Sequence, residues 1–214
     1  MGTPAVKPKP GPRRESQPDV GARRIFDTRL GMFTVRVQPG ECYTTAASDE
    51  VVVTVLGSCV AACIRDPRTG FGGLNHFMLP ASETGDWSGV SAVLRYGNHA
   101  MELLINAVLK SGCRRDALEI KLFGGADLTE GPSRVGSKNA AFVVDYLQQE
   151  GLSAMSADLG GTHPRVIQYA PATGIARRAF RKRLDEDRII AERERRYTRA
   201  LSVKPPEGDI ELFE

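Results

Sequence analysis

The chain has 214 residues, of which 41% are hydrophobic, and this length suits one domain with tails or at most two small domains. It contains no run of 18 apolar residues, so we expect no membrane-spanning segment. The formal net charge is +3, but residues 25–180 carry 14 Lys and Arg against 15 Asp and Glu, which argues against a nucleic-acid-binding body.

The N-terminal segment, residues 1–24, has six basic and two acidic residues, and five prolines fall within its first 18 residues. This composition predicts a disordered arm. The segment lacks the apolar core of a secretion signal, so we expect the chain to remain in a reducing compartment. The four cysteines, at positions 42, 59, 63 and 113, are therefore interpreted as thiols, each by default a small buried hydrophobe.

Three strands are predicted in the first half of the body. Residues 33–38 alternate apolar and polar side chains, as a half-buried strand does. Residues 50–56, "EVVVTVL", form a β-branched run that predicts a strand buried on both faces. The turn "DPRTG" at 66–70 precedes a third strand at 72–79.

The second half mixes helices with strands. Apolar residues at helical spacing predict helices over 88–112 and 133–151, each ending at a glycine. Strands are expected at 117–125 and 152–161, and a hairpin at 165–180 turns around Thr173-Gly174. The hairpin argues for antiparallel pairs, so the predicted class is mixed α/β (α+β), with two long helices over one or two mixed sheets.

The C-terminal tail, residues 181–214, begins with a charged stretch. Residues 181–200 carry eight basic and five acidic residues, and 183–200 are predicted to be a helix with little apolar face. Such a run could contact an acidic partner or a membrane surface, or simply be solvated. The predicted organisation is therefore an arm at 1–24, one domain at 25–180 and a tail at 181–214.

Cys59 is a candidate nucleophile. It follows the buried strand 50–56 through the tight exit Gly57-Ser58, whose backbone N–H groups could face a substrate oxygen. If "VAACI" begins a helix, the helix dipole would favour a thiolate at Cys59. His76 in the next strand could act as the base, and Thr54 could orient its ring. The competing interpretation, a buried cysteine and a core histidine, stays open.

A zinc site is the second interpretation of the same residues. Cys59 and Cys63 have ligand-like spacing, and His76 with His163 could complete a Cys2His2 set. The apolar "VAACI" and the absence of a second CxxC pair argue against it, so no metal and no cofactor is predicted.

Further candidates lie in two loops. Gly124 and Gly125 in "FGGAD" follow a strand, and their N–H groups could line a pocket, although turn geometry is the usual reason for such glycines. His163 lies in the loop "GGTHPRV", and Arg165 beside it could bind a carboxylate or carbonyl group. A surface arginine is the preferred interpretation of Arg165.

Five blocks of sequence stand out in the body of the chain. They are "LGSCVAACIRDP", "GGLNHFMLP", "KLFGGAD", "VGSKNAAFVVDYLQQEGL" and "ADLGGTHPRVIQY". In this order, and above all in the combination of Gly-Ser-Cys with "HFMLP", they resemble the chemoreceptor glutamine deamidase family of bacterial chemotaxis (CheD). The resemblance covers roughly residues 30–180.

The resemblance implies a function and a site. The thiolate of Cys59 would attack glutamine side chains on cytoplasmic helices of methyl-accepting chemotaxis receptors, ammonia would leave, and water would release glutamate from a thioester. His76 would be the base and Thr54 the third, orienting residue. Gly57 and Ser58, and with them Gly124, Gly125, His163 and Arg165, are the candidate substrate or oxyanion residues. Weak hydrolysis of glutamyl methyl esters is a further hypothesis.

The resemblance also implies a fold, a location and partners. The family fold is a layered α/β sandwich like that of the deamidating cytotoxic necrotizing toxins. A cytoplasmic protein recruited to membrane-bound receptor arrays is expected, and a chemotaxis phosphatase of the CheC type is a possible second partner. The alternative function is a binding module without catalysis that regulates that phosphatase or a receptor.

Overall fold

The computed structural model describes residues 23–79, 90–128 and 134–180, and residues 190, 192–194 and 196–197 of the tail. Residues 1–22 of the predicted disordered arm and most of the tail lie outside the described residues, whereas Arg23 and Arg24, which were assigned to the arm, begin the first strand. In chain order the strands are β1 (Arg23–Asp27), β2 (Met32–Arg36), β3 (Cys42–Thr45), β4 (Glu50–Leu56), β5 (Val60–Arg65), β6 (Gly72–Asn75), β7 (Glu119–Gly124), β8 (Ser156–Leu159), β9 (Arg165–Ala170) and β10 (Ile175–Phe180), and the helices are α1 (Val90–Lys110) and α2 (Val135–Gln149).

The strands form two five-stranded mixed sheets. The first has the order β1-β2-β4-β9-β10, and the second has the order β3-β6-β5-β7-β8. The pairs β2·β4 and β7·β8 are parallel, and the other described pairs are antiparallel. The predicted hairpin is confirmed, because β9 and β10 pair antiparallel with Ala170 opposite Ile175.

The segment "VAACI" is a strand, so the helix considered for it is wrong. Residues 60–65 form β5, which pairs with β7 over its whole length and with β6 over part of it. The strand is buried on both faces, and a short apolar run of this kind has no periodicity that separates it from a buried helix. Cys59 therefore lies between two strands and not at the N-terminus of a helix formed by residues 60–64.

Two apolar clusters show how the sheets and helices are layered. Alternate residues of β5 point in opposite directions. Ala61 and Cys63 pack between the two sheets, with Val52 and Ile167 of the first sheet. Residues on the other face of β5 pack against α1 and α2, through side chains such as Leu104. The molecule is thus a sandwich of sheet, sheet and helices, and the predicted mixed α/β class is confirmed.

The chain crosses from the first sheet to the second at residues 57–59. β4 ends at Leu56 in the first sheet, and β5 begins at Val60 in the second. The prediction of a strand over 50–56 is confirmed, and that strand is central in its sheet. The Gly-Ser-Cys turn is therefore held between the central parts of two sheets. Among the described residues, no helix is long and apolar enough to cross a membrane.

Candidate active site

Hydrogen bonds to all three of its carbonyl groups hold the turn at residues 57–59 in place. The donors are the N–H of Ala126 to Gly57 O (2.9 Å), the side-chain amide of Asn139 to Ser58 O (2.8 Å) and the N–H of Gly125 to Cys59 O (2.8 Å). Asn139 belongs to α2 and is completely buried, and its amide oxygen also accepts a bond from Leu79 N at 2.9 Å. With all three carbonyl groups held on one side, the three N–H groups face the other side.

These three N–H groups converge on one carboxylate, that of Glu194. Gly57 N and Cys59 N donate to its Oε1 at 3.0 and 3.3 Å, and Ser58 N donates to its Oε2 at 3.0 Å. The hydroxyl of Ser58 also donates to Oε2, at 2.6 Å. Successive backbone N–H groups of this kind form an anion-binding nest. The same arrangement can stabilise the oxyanion of an acyl-transfer reaction.

Glycine at position 57 permits the close approach of the carboxylate. A Cβ atom at Gly57 would lie 2.8 Å from Oε1 of Glu194 and 2.6 Å from Cδ1 of Leu128. Both separations are shorter than a normal contact, so any side chain here would push the carboxylate away from the nest. The tight exit predicted from Gly57-Ser58 therefore lines a pocket for a carboxyl-sized group.

His76 is held by Thr54 at its Nδ1 atom. The Thr54 hydroxyl lies 2.8 Å from Nδ1 of His76 and 2.9 Å from the carbonyl oxygen of Val37, and both Thr54 and His76 are buried. A hydroxyl has one hydrogen, and the Val37 carbonyl can only accept it. The Thr54 oxygen must therefore accept a hydrogen from Nδ1 of His76. In the neutral ring this leaves Nε2 unprotonated.

Cys59 and His76 share the face of the second sheet that points to the first sheet. Val60 and Phe77 form an antiparallel bridge with N···O distances of 2.9 and 3.0 Å, and both side chains face the helices. Cys59 and Met78, their neighbours along the chain, point between the sheets. His76 precedes Phe77 and also points there, towards Thr54 on β4. Cys59 and His76 thus occupy diagonal positions across the bridge.

Burial keeps both groups neutral in this conformation. Burial lowers the pKa of His76 to about 4, and its Nε2 is buried without a hydrogen-bond partner among the described residues. Burial raises the pKa of the Cys59 thiol well above its usual value, and the negative charge of Glu194 and its hydrogen bond with the thiol raise it further. With Glu194 in the nest, Cys59 is a protonated thiol with no exposed surface.

The other predicted site residues make structural contacts with the strands and loops around them. Gly124 pairs with Val60 in the second sheet, and the N–H of Gly125 is used by Cys59 O. Arg165 is 1% exposed, so the preferred interpretation as a surface arginine is wrong. It lies opposite Leu56 in β4, and its guanidinium binds the carbonyl and carboxylate of Asp158 and the carbonyl of Gly160.

His163 is exposed. Its Nδ1 lies 3.1 Å from the hydroxyl of Thr162, and its ring packs against Phe180. The described contacts of His163 therefore lie outside the nest and the Thr54–His76 pair.

The strand at β5 argues against the Cys59–Cys63 zinc pair. Residues four apart in a strand are separated by about 13 Å, because each residue advances the chain by about 3.3 Å. Two thiolates bound to one zinc ion must each lie about 2.3 Å from it. The described part of the chain contains no group of three or more potential ligands.

Two residues of the site were not predicted from the sequence. Asn139 had a detectable signal, because it lies on the apolar stripe of α2, four residues after Val135 and four before Val143, and is itself buried. A polar residue on such a stripe needs a hydrogen-bond partner. Glu194 had no such signal in its charged run, where a solvated helix was expected. It is 6% exposed.

Comparison with known proteins places the chain among relatives of one name. The family described as "CheD chemotactic sensory transduction" matches residues 78–179. A protein of Halorhodospira halophila, named probable chemoreceptor glutamine deamidase CheD, is 44% identical over 89% of this chain and 89% of its own length. Proteins with the same name from Rhodopseudomonas palustris and Hydrogenovibrio crunogenus are each 44% identical, over 93% and 89% of this chain and 92% and 100% of their own lengths.

The similarity extends beyond the family match at both ends. A stretch covering 93% of a 214-residue chain includes residues 20–195, wherever it starts. The comparison with the Rhodopseudomonas palustris protein therefore spans Thr54, Cys59 and His76, and it also reaches the tail residue Glu194.

Proposed function

This chain belongs to the chemoreceptor glutamine deamidase family, and on that basis we propose that it converts specific glutamine side chains of chemotaxis receptors to glutamate through a thioester on Cys59. The observation that carries the chemistry is the nest at residues 57–59, whose three N–H groups hold a γ-carboxylate beside the Cys59 thiol. A γ-carboxylate is the product group of glutamine deamidation. The site therefore holds the chemical group that the reaction makes.

The first half-reaction forms the thioester. Nε2 of His76 takes the proton of the Cys59 thiol, and the sulfur adds to the side-chain carbonyl carbon of the glutamine. The N–H groups of residues 57–59 stabilise the oxyanion, because they are already oriented towards that position. His76 then donates its proton to the amide nitrogen, the C–N bond breaks, and ammonia leaves.

The second half-reaction releases glutamate. His76 removes a proton from water, the oxygen adds to the thioester carbon, and the C–S bond breaks with return of the proton to sulfur. Thr54 keeps the Nδ1 hydrogen in place throughout, so that Nε2 is the nitrogen that takes up and returns the proton in both halves. These steps use only water and groups of this chain.

Mass spectrometry of a receptor cytoplasmic fragment tests the proposal. We expect glutamine-to-glutamate conversion by the wild type and none by Cys59→Ala. Cys63→Ala is the matched control, because Cys63 is a buried thiol on the same face of β5. Equal conversion by wild type and Cys59→Ala would refute the assignment of Cys59 as the nucleophile. Equal loss in both cysteine variants would point to unfolding, which circular dichroism detects.

The same nest would accept the carbonyl of a glutamyl methyl ester. The leaving group is then methanol, and we propose weak methylesterase activity, measured as methanol released from a methylated receptor fragment. Release that is no greater than with Cys59→Ala would exclude this activity.

We propose that the cytoplasmic helices of receptors are the main partner and that the protein works at receptor arrays. A phosphatase of the CheC type is the second proposed partner. A binding module without catalysis is the alternative function, which a fully buried Cys59 with a raised pKa also fits. Phosphatase binding together with an unmodified receptor fragment would favour that alternative.

A further inference from the structure

We propose that the tail segment carrying Glu194 is an internal mimic of the reaction product, which occupies the active site until a substrate helix displaces it. This inference rests on the proposed function, because it identifies the Glu194 carboxylate with the glutamate that deamidation produces. It adds a regulatory element and a docking surface to the site at residues 57–59.

The first argument is the completeness with which the carboxylate of Glu194 is bound. Three backbone N–H groups and the Ser58 hydroxyl donate to its two oxygens. All of these donors belong to the one turn that carries the proposed nucleophile. Glu194 fills the position that an oxyanion would occupy, so no amide carbonyl can bind there at the same time.

The second argument is the helical geometry of the segment. The described residues 190, 192–194 and 196–197 are helical, and residues three apart on a helix share a face. Tyr197 lies on the same face as Glu194, and its hydroxyl bonds to that of Tyr96 on α1. Its ring packs against the apolar cluster between the sheets. A receptor helix with a protruding glutamine would present the same type of surface.

The third argument comes from Gly40, opposite the ring of Tyr197. A Cβ atom at Gly40 would lie 2.4 Å from the Tyr197 hydroxyl oxygen. The absence of a side chain at Gly40 therefore leaves the space that the tyrosine fills. Glu192 and Arg196, by contrast, are exposed and form an ion pair with each other at 3.3 Å. The segment therefore has one face that fits the body and another that faces solvent.

Occupation by Glu194 suppresses the chemistry in two ways. It fills the nest, and its negative charge opposes ionisation of the Cys59 thiol beside it. Displacement of the segment would free the N–H groups and remove that charge. The same event that admits the substrate would thus activate the nucleophile.

Alkylation of Cys59 tests the occupation without using receptor activity. The rate of Cys59 modification by iodoacetamide is measured peptide by peptide in the wild type, Glu194→Ala and Glu192→Ala. We expect at least about tenfold faster modification in Glu194→Ala, because loss of even one of its four hydrogen bonds gives about that factor, and no change in Glu192→Ala. Equal rates in all three proteins would overturn the proposal. Tyr197→Phe, which keeps the ring but loses the hydroxyl contact, should give a smaller increase.

Glu194→Gln tests whether the segment lies in the site as a product does. The introduced glutamine has the shape of the carboxylate. Its amide oxygen can accept from Gly57 N and Cys59 N, and its amide nitrogen can donate to the Ser58 hydroxyl, so we expect the protein to convert it to glutamate. Sulfur adds to its side-chain carbon, ammonia leaves, and water releases the acid. Mass spectrometry of the peptide containing residue 194 detects this change, and the double variant with Cys59→Ala should keep the glutamine. Retention of the glutamine by a protein that deamidates the receptor fragment would overturn the product-mimic assignment.

The two proposals fail separately. A receptor fragment that no variant converts, combined with Cys59 alkylation that still depends on Glu194, would refute the proposed function and support the docked segment. Receptor conversion that needs Cys59 but is equally fast in wild type and Glu194→Ala would support the function and overturn the inhibition.

Discussion

Substitution of Asn139 should disable the nest without touching any reacting atom. Asn139 is completely buried and joins two buried backbone groups, with its amide nitrogen on Ser58 O and its oxygen on Leu79 N. In Asn139→Ala both groups lose their partner. A buried group left unsatisfied costs about 1–3 kcal/mol, so the free energy of unfolding should fall by about 2–6 kcal/mol.

The effect on activity follows from the position of the Ser58 carbonyl. This carbonyl belongs to the peptide unit whose N–H is that of Cys59, one of the three donors of the nest. Without Asn139 that peptide can rotate, and its N–H no longer points to the oxyanion position. Loss of one oxyanion donor lowers kcat by about 100- to 1000-fold, so we expect a fall in kcat of about 100-fold with a smaller change in KM.

The assay separates the two effects. Urea unfolding gives the stability of Asn139→Ala, and receptor deamidation is then measured where circular dichroism shows the variant to be folded. Gln148→Ala is the matched control, because Gln148 is an exposed residue of the same helix. A folded Asn139→Ala protein with kcat within about twofold of the wild type would refute the argument that this side chain orients the nest.

Three further predictions concern the neighbouring residues. Thr54→Val should lower kcat at least about tenfold while Thr54→Ser keeps activity, because only the hydroxyl orients His76, and receptor deamidation measures this. Gly124→Ala should unfold in urea far more easily than Gly151→Ala. Both glycines have a positive φ, +112° and +64°, but a Cβ at Gly124 would lie 2.2 Å from Cys59 O, whereas Gly151 has open space. The third concerns pH. The pKa of His76 is about 4 when folded and about 6.5 when unfolded, so the unfolded chain takes up the proton first as pH falls. The free energy of unfolding should therefore fall by up to about 1.4 kcal/mol per pH unit as pH drops from about 6.5 to 4. In His76→Gln this part of the dependence of unfolding free energy on pH, measured by urea titration at each pH, should be absent.

Much of the fold follows from local patterns in the sequence. The β-branched run at 50–56 and the two amphipathic helices were predicted within a few residues of their observed ends, and the hairpin β9–β10 followed from its turn residues. These features depend on side chains close together in sequence. β5 was not predicted, because a run buried on both faces has the same apolar character in a strand and in a helix.

The site depends on contacts that local patterns do not contain. Asn139 meets Ser58 across 81 residues, and Glu194 meets Gly57 across 137 residues. A hydrophobic pattern predicts that a residue is buried but not which distant group it contacts. The Gly-Ser-Cys turn and His76 were predicted because residue chemistry and family resemblance indicated them. The carboxylate in the nest required the three-dimensional arrangement.

An internal product mimic changes which molecules can act as substrates. A segment of the same chain competes intramolecularly, at an effective concentration set by its linkage to the body, whereas a free amide competes only through its own few contacts. Free glutamine and short peptides reach the nest with one side chain only. They lack further contacts such as those that Tyr197 makes with Gly40 and Tyr96. A long receptor helix would bring comparable surface. The docked segment therefore favours protein glutamine on a helix over free amides, although the chemistry at Cys59 is the same for both.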